Sequence, residues 1–425
     1  MGRAAHLGRL RVLDLTLSGC RLNNVAMPRL AAVALAVVLL APSPAVAASQ
    51  TPLARKLSRA LAVPHVARAH TSALAVDLAT GKQLYARNLH MPLIPASNEK
   101  LAVTYASLLA LGPSFRFSTD VLGEGELDGT LWRGDVVLKG YGDPTLSTLD
   151  LLSLASQLRS QGIRRVTGQV IGDESFFDAK RMGPGWKSYF FLNESPALSA
   201  LTVDRGRYKG RATRQPALAA ALSFRAALLR AGISVAGRAL TGTADSAAVP
   251  LATIESVPLA GVLRFMDHES DNFTAEMLLK QLGAGIGLQG TTAAGAQAVL
   301  QLLQEQQIPL TGVRIVDGSG LSRLDRLTTE AVVAMLRSSW LDEDLRELLI
   351  DALPVAGRSG TLDSRMRGTV AAGRVRAKTG TLNEASALSG YVRRRYAFSV
   401  IQNGPGMSVY WARVAQDQFA TVLAR

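Results

Sequence analysis

Ser97-Asn98-Glu99-Lys100, directly after Pro95-Ala96, sets a hydroxyl and an amine three residues apart. On a helix that spacing puts both on one face, one turn apart. A nucleophilic hydroxyl with an amine as its base needs that arrangement. A helix N-terminus at this point would aim unpaired N–H groups at Ser97, where a developing oxyanion can be held. Its positive end would also favour the neutral form of Lys100. The same residues equally suit a capped helix start carrying a surface lysine.

Two further patterns follow in order. Ser270-Asp271-Asn272 lies between two helical runs. Its hydroxyl and amide, two residues apart, can face one cleft, the first relaying a proton and the second holding a substrate carbonyl. Read singly, it is also a cluster of helix-capping residues before Phe273. Lys378-Thr379-Gly380-Thr381 closes an extended segment. A lysine and hydroxyls there, with a glycine permitting close backbone approach, make an edge for a carboxylate. An ordinary strand end with a turn glycine is the plain alternative. Joint occurrence decides for chemistry. Of 47 basic residues only nine are lysines, and two of the nine fall in these patterns. Arginine supplies surface charge but keeps its proton near neutral pH, whereas lysine can release one.

The elements that must position these groups are legible as periodicities. Leu53–Leu61 reads as a helix, Thr71–Asp77 and Gln83–Arg87 as strands joined by Ala79-Thr80-Gly81, and Ser97–Leu111 as a helix stopped by Gly112-Pro113. From Phe117 to about Arg214 the texture changes to short strands and glycine turns around one helix near Leu149–Gln161. From Pro216 helices dominate: 217–230, 259–266, 274–282, 292–306 and 328–337. Strands 374–378, 385–393 and 396–402 and a closing helix from about Tyr410 complete the chain. Two early strands and three late ones predict a single sheet assembled from both ends of the chain. The expected division is a catalytic body of residues 48–116 and 216–425, with a β-rich insertion at 117–215.

The first 47 residues are expected to lie outside the fold. Met27-Pro28-Arg29, an apolar run from Leu30 to Ala41, and Pro42-Ser43-Pro44-Ala45-Val46-Ala47 have the form of an export signal. Cleavage after Ala47 is expected, and translation can begin at Met27. The run is shorter than the ~20 apolar residues a membrane span takes. Leu17-Ser18-Gly19-Cys20 has the form of a lipid-attachment site, but Asp14 interrupts the run before it and a better signal follows. Cys20 is the only cysteine, so the exported chain has no disulfides, thiolate catalysis or cysteine-ligated metal. No paired-histidine spacing supports a metal site either, and no cofactor is expected. Removing residues 1–47 takes away five Arg and one Asp, lowering the formal charge from +14 to +10. The arginines are mostly scattered, without a dense basic run interleaved with aromatics, which argues against nucleic acid. Peripheral association with an anionic membrane face remains a candidate.

The Ser-x-x-Lys, Ser-Asp-Asn, Lys-Thr-Gly set resembles the penicillin-binding proteins and class A β-lactamases. Pro92-Leu93-Ile94-Pro95-Ala96-Ser97, Gly142-Asp143-Pro144-Thr145-Leu146, Asp317-Gly318-Ser319-Gly320-Leu321-Ser322 and Gly360-Thr361-Leu362 through Arg365-Met366 narrow it to the low-molecular-mass class C penicillin-binding proteins. Those are D-alanyl-D-alanine carboxypeptidases and endopeptidases of the bacterial envelope. The resemblance implies an α+β fold of the β-lactamase/transpeptidase type, a five-stranded antiparallel sheet flanked by helices. By position it makes Ser97 the acylated nucleophile, Lys100 the proton acceptor and Ser270 the proton relay. Asn272 becomes a substrate-amide contact, and Lys378, Thr379, Gly380 and Thr381 the carboxylate site. The implied partners are peptidoglycan stem peptides, with β-lactams as covalent inhibitors. One departure stands out: only a short basic link, Asp204–Gln215, occupies the place of a second insertion usual in the family. A β-lactamase would need a deacylating Glu between the second and third patterns and a shorter gap after Ser97. A non-catalytic wall-binding protein on the same fold would have no need of intact Ser97, Lys100 and Lys378.

Overall fold

The computed structural model describes residues 51–425 except Leu288; the expected leader, its cleavage site and Cys20 lie outside the described residues. Helix α1 (Pro52–Ala60) begins with proline in its first turn and Thr51 accepting the amide of Ala54, both start signals. Strands β1 (Thr71–Asp77) and β2 (Gln83–Arg87) follow, then a 3₁₀ turn, Ala96–Glu99, running into α2 (Lys100–Leu111). Next come β3 (Ser118–Asp128), β4 (Leu131–Gly140), α3 (Thr148–Ser160), β5 (Arg165–Val166) and β6 (Val170–Asp173). The hairpin β7 (Arg207–Tyr208) and β8 (Arg211–Ala212) leads to α4 (Pro216–Arg230), β9 (Ser234–Val235), β10 (Ala239–Thr241) and β11 (Val249–Glu255). The helices α5 (Leu259–Glu269), α6 (Asn272–Gly285), α7 (Thr292–Glu305), α8 (Thr329–Leu341) and α9 (Glu343–Ala352) precede β12 (Val375–Leu382), β13 (Ala385–Val392), β14 (Tyr396–Asn403) and α10 (Val409–Leu423).

The first two and last three of these strands form one antiparallel sheet in the order β12-β13-β14-β1-β2, as the element order predicted. Successive residues of a strand face opposite sides, and here both sides are covered. Leu74, Val76, Ala387, Tyr391, Ala397 and Ile401 enter the core shared with α2 and α5–α9. Their neighbours Ala73, Ala75, Leu388, Val392, Phe398 and Val400 enter a second core closed by α1 and α10. Every residue of β13 is therefore buried. On the α10 side Phe419 packs edge-on to Tyr85 at 5.6 Å between ring centroids.

The other large sheet is mixed. Its main path is β10-β6-β4-β3-β11, antiparallel between β3 and its two neighbours and parallel between β4, β6 and β10. This corrects the expected boundary at residue 215. Ala217, Ala220, Ala221, Phe224, Ala227 and Leu228 of α4 are buried with Val136, Leu138 and Val170 of the second sheet, and β9–β11 pair into that sheet. The insertion thus runs to Glu255. An apolar helix reads the same whichever sheet it covers, β9 and β10 are too short to show alternation, and Pro250 argues against a strand at β11. Ser118 and Glu255 are direct partners across β3 and β11, and the amide of Ser256 donates to the Phe117 carbonyl at 2.8 Å. The chain therefore leaves and re-enters the first core at one point. The Asp204–Gln215 link is only the small β7–β8 hairpin and its flanks.

Candidate active site

The three sequence patterns meet at one cleft. Ser97 sits in the 3₁₀ turn ahead of α2, and Lys100 is the first residue of the helix proper. Ala96 adopts a left-handed φ of 48°, and two glycines fit the chain around it. A Cβ on Gly320, itself at φ 79°, would stand 1.9 Å from the Ala96 carbonyl oxygen. One on Gly380 would lie 2.6 Å from the Pro95 carbonyl oxygen and 3.1 Å from the Ser97 nitrogen. Only glycine allows strand β12 to lie this close behind the serine turn. Asn98 ties the two together, its side-chain amide donating to the Lys378 carbonyl at 3.0 Å.

Lys100 is completely buried. Its Nζ lies 3.2 Å from Ser97 Oγ, 2.8 Å from Asn272 Oδ1 and 2.7 Å from the Ser319 carbonyl oxygen. A protonated amine has three hydrogens for three acceptors; a neutral one has two and a lone pair. The carbonyl and amide oxygens can only accept, so in the neutral amine they take the two hydrogens and the lone pair faces the Ser97 hydroxyl. Burial pushes the Lys100 amine down to about 8, against the upward pull of Asp317, Asp271, Glu276 and Asp267. A base with that affinity is part-populated near neutral pH, which suits proton abstraction.

Ser270 occupies a left-handed turn, φ 57°, between α5 and α6. Its Oγ accepts from Lys378 Nζ at 2.8 Å. Burial, and then the positive charge of Lys100, push Lys378 down to about 7, while Asp267 pulls it up. Asp271 does cap α6, through the Thr274 amide at 2.7 Å, so the capping reading and the cleft reading of this pattern both hold. Asn272 turns its amide nitrogen to the Glu194 carbonyl at 2.9 Å.

A cleft of about 390 Å³ opens over these groups and is lined by Ser97, Ser270, Asn272 and Thr381 together with Tyr189, Glu194 and Arg323. Thr379 does not line it: its hydroxyl donates to Thr361 at 2.8 Å. Gly380 lies behind the serine turn. Of the four residues expected at a carboxylate edge, Thr381 alone borders the open space.

Three contributors were given no role from sequence, although Asp317 stands in one of the stretches that carry the resemblance. Arg413, on α10, donates to Thr381 Oγ1 at 3.1 Å and sets a permanent cation beside that hydroxyl. Asp317 gathers the loop after α7: Oδ1 accepts from the Gly320 amide, and Oδ2 from the Ser322 amide and the Trp186 indole, each at 2.7 Å. Glu276 stands one turn after Asn272 on α6, fully buried, and its Oε1 accepts from the Gly318 and Ser319 amides at 2.9 and 2.8 Å. It thereby sets the Ser319 carbonyl that Lys100 donates to. Burial and the nearby Asp317 push Glu276 up to about 8. The spacing of Glu276 from Asn272, i to i+4, was the available signal.

The model of the D-Ala-D-Ala carboxypeptidase 3 (S13) family matches residues 53–216 and 208–425. The chain belongs to that family. Its two matched pieces meet at 208–216, where the second insertion is expected to be missing. The D-alanyl-D-alanine carboxypeptidase of an Actinomadura species is 32% identical over 87% of this chain and 85% of its own length. Carboxypeptidase DacB of Mycolicibacterium smegmatis is 33% identical over 91% of this chain and 86% of its own. Among solved structures, penicillin binding protein 4 (dacB) from Haemophilus influenzae shares the fold with a TM-score of 0.75 at 23% identity, covering 87% of this chain and 98% of that one.

Two predictions follow from the geometry. Acylation by penicillin should quicken as pH rises toward about 8 and then level, because only neutral Lys100 offers a lone pair. Lys100→Arg keeps the charge but not the base, and should acylate about 10²–10⁴-fold more slowly; stopped-flow acylation rates from pH 6 to 9 on both proteins check this, and a flat wild-type profile contradicts it. Glu276→Ala orphans two buried N–H groups, at about 1–3 kcal/mol each, and should slow acylation by loosening the Ser319 carbonyl. Glu276→Gln keeps the acceptor and should restore most of the rate and of the urea midpoint; equal damage by both substitutions would contradict positioning through this bond.

Proposed function

We propose that this chain is an exported serine D,D-peptidase that cleaves D-alanyl bonds of peptidoglycan through an acyl-enzyme. The observation that carries the reading is the placing of Lys100 Nζ against Ser97 Oγ with its other two directions fixed by acceptors. Ser97 Oγ attacks the carbonyl carbon of the penultimate D-Ala, and its proton passes to Lys100 Nζ. Backbone N–H groups of Ser97 and Thr381 take the oxyanion. Ser270, linked to Lys378, hands a proton to the leaving amine as the C–N bond breaks. Water then attacks the ester and releases Ser97. Thr381, with Arg413 beside it, takes the terminal carboxylate, and Asn272 contacts the substrate amide. The names of the family and of its 32–33% identical relatives support the substrate class.

Penicillin enters by the same path, its ring nitrogen standing for the leaving amine. A structure of the Haemophilus influenzae protein in complex with a β-lactam supports this. Endopeptidase action on cross-linked dimers belongs to the same reading: with only the β7–β8 hairpin at 204–215, less protein covers the approach to the cleft. The leader at 27–47 supports delivery to the envelope, with peripheral attachment to the membrane face as a further partner.

Mass spectrometry after penicillin treatment should find one covalent adduct on Ser97, and Ser97→Ala should show neither adduct nor peptide cleavage. Purified muropeptides should lose terminal D-Ala, and cross-linked dimers should be cut as well; monomer cleavage with intact dimers would remove the endopeptidase half. N-terminal sequencing from the native host should start at Ala48 or Ser49, whereas a lipid-modified Cys20 would overturn the soluble exported form.

A further inference from the structure

Arginines that are scattered in the sequence are gathered by the fold. On α1, Leu57 and Ala60 are buried while Arg55, Lys56 and Arg59 are exposed, with Arg55 and Arg59 one turn apart on the same face. Lys56 and Arg59 line a groove of about 810 Å³ with Arg367 and Arg425. The same two line an adjoining groove of about 550 Å³ with Arg55 and Arg68. Among the described residues, none of Arg55, Lys56, Arg59, Arg68 and Arg425 has a carboxylate partner. Arg367 has only Asp363, at 3.8 Å. Asp417, the carboxylate side chain bordering the larger groove, is already held by Arg365 at 2.6 Å. Beside these cations, in the loop after Arg367, Val370 is 45% exposed.

We infer that this face docks on the anionic surface of a phospholipid bilayer, the cations taking headgroup phosphates and Val370 reaching the interface. The inference rests on the chain being exported and names the surface by which it would stay near the membrane. Charge complementarity selects the occupant: about six cations spread over two joined grooves match a plane of phosphates, and each contributes to binding there. Helix α10 fixes where the cleft then stands. Val409 at its start lines the cleft and Val422 near its end lines the groove, and its 15 residues span about 22 Å. Docked this way, the cleft is held well off the lipid, at a level where wall peptides can enter.

The test uses the purified mature chain and sedimentation with phosphatidylcholine vesicles, with and without phosphatidylglycerol. Wild type should bind only the vesicles containing phosphatidylglycerol and should leave them as salt rises. The triple variant Arg55→Gln, Lys56→Gln, Arg59→Gln should partition about a hundred-fold more weakly, from a several-fold loss per cation removed. A control with the same charge change on the second sheet and α4, Arg165→Gln, Arg230→Gln, Arg238→Gln, should bind like wild type. Equal weakening by both variants would mean net charge alone acts, and retention on a soluble polyphosphate without vesicle binding would mean another polyanion is the partner; either outcome overturns the proposal. Stoichiometric penicillin labelling of all three proteins reports the cleft separately, so failure of the surface and failure of the catalytic reading are distinguishable.

Discussion

Two amines, Lys100 and Lys378, are buried within reach of the hydroxyls of Ser97 and Ser270, and much of the surrounding structure is arranged to tolerate them. An isolated ammonium in a protein interior is costly, and the cost is met by neutralisation or by acceptors placed at the right distance. Here both occur. Burial pushes both amines down, Lys378 further through the charge of Lys100, and they are met by oxygens from separate elements: α6, the loop at Ser319, and the α5–α6 junction. A second ring of buried carboxyls, Glu276, Asp317 and Asp325, holds that loop by its amides. Asp317 and Glu276 pull Lys100 upward in return, while burial and Asp317 hold Glu276 itself toward its neutral form. The catalytic group and its scaffold are thus one electrostatic unit.

The same constraint explains what could be read from the sequence. Chemistry of the proposed kind needs a particular functional group at a particular spacing, so Ser97, Lys100, Ser270, Asn272 and Lys378 stand out from the text, and the fold brings them together. The antiparallel sheet was legible for a different reason: its strands are five to eight residues long and stand near the two ends of the described chain. Glu276 was not legible as a contributor, because a buried carboxyl serving backbone amides leaves no periodicity and resembles any surface acid; Asp317 stood in a stretch read for its resemblance, but its hold on that loop's amides was not legible. Arg413 is hidden among 38 arginines. Thr379 was placed at the carboxylate edge, yet its hydroxyl is spent on Thr361, a pairing between distant segments that sequence spacing cannot reveal.

The misplaced boundary has a similar origin. Pro216 does start a helix, as expected, but what a helix covers depends on tertiary partners. Phe224 and Leu228 face the second sheet, while Leu278 and Leu279 of α6 face the first core, and the two helices are alike in apolar content. The basic residues teach the converse lesson. Taken along the chain they are dispersed, and only the packing of α1 beside α10 and the 364–369 loop shows that several share a face.

The pairing of β1 with β14 joins Thr71 to Gln402, nearly opposite ends of the described chain. Contacts so far apart in sequence are slow to form, because a long loop must close first. β12, which backs the serine turn, is also among the last elements made. A chain made from its N-terminus therefore carries Ser97 and Lys100 well before Ser270 and Lys378 exist to complete the cleft. The hydrolase assembles only when its final strands have been made and have paired with β1.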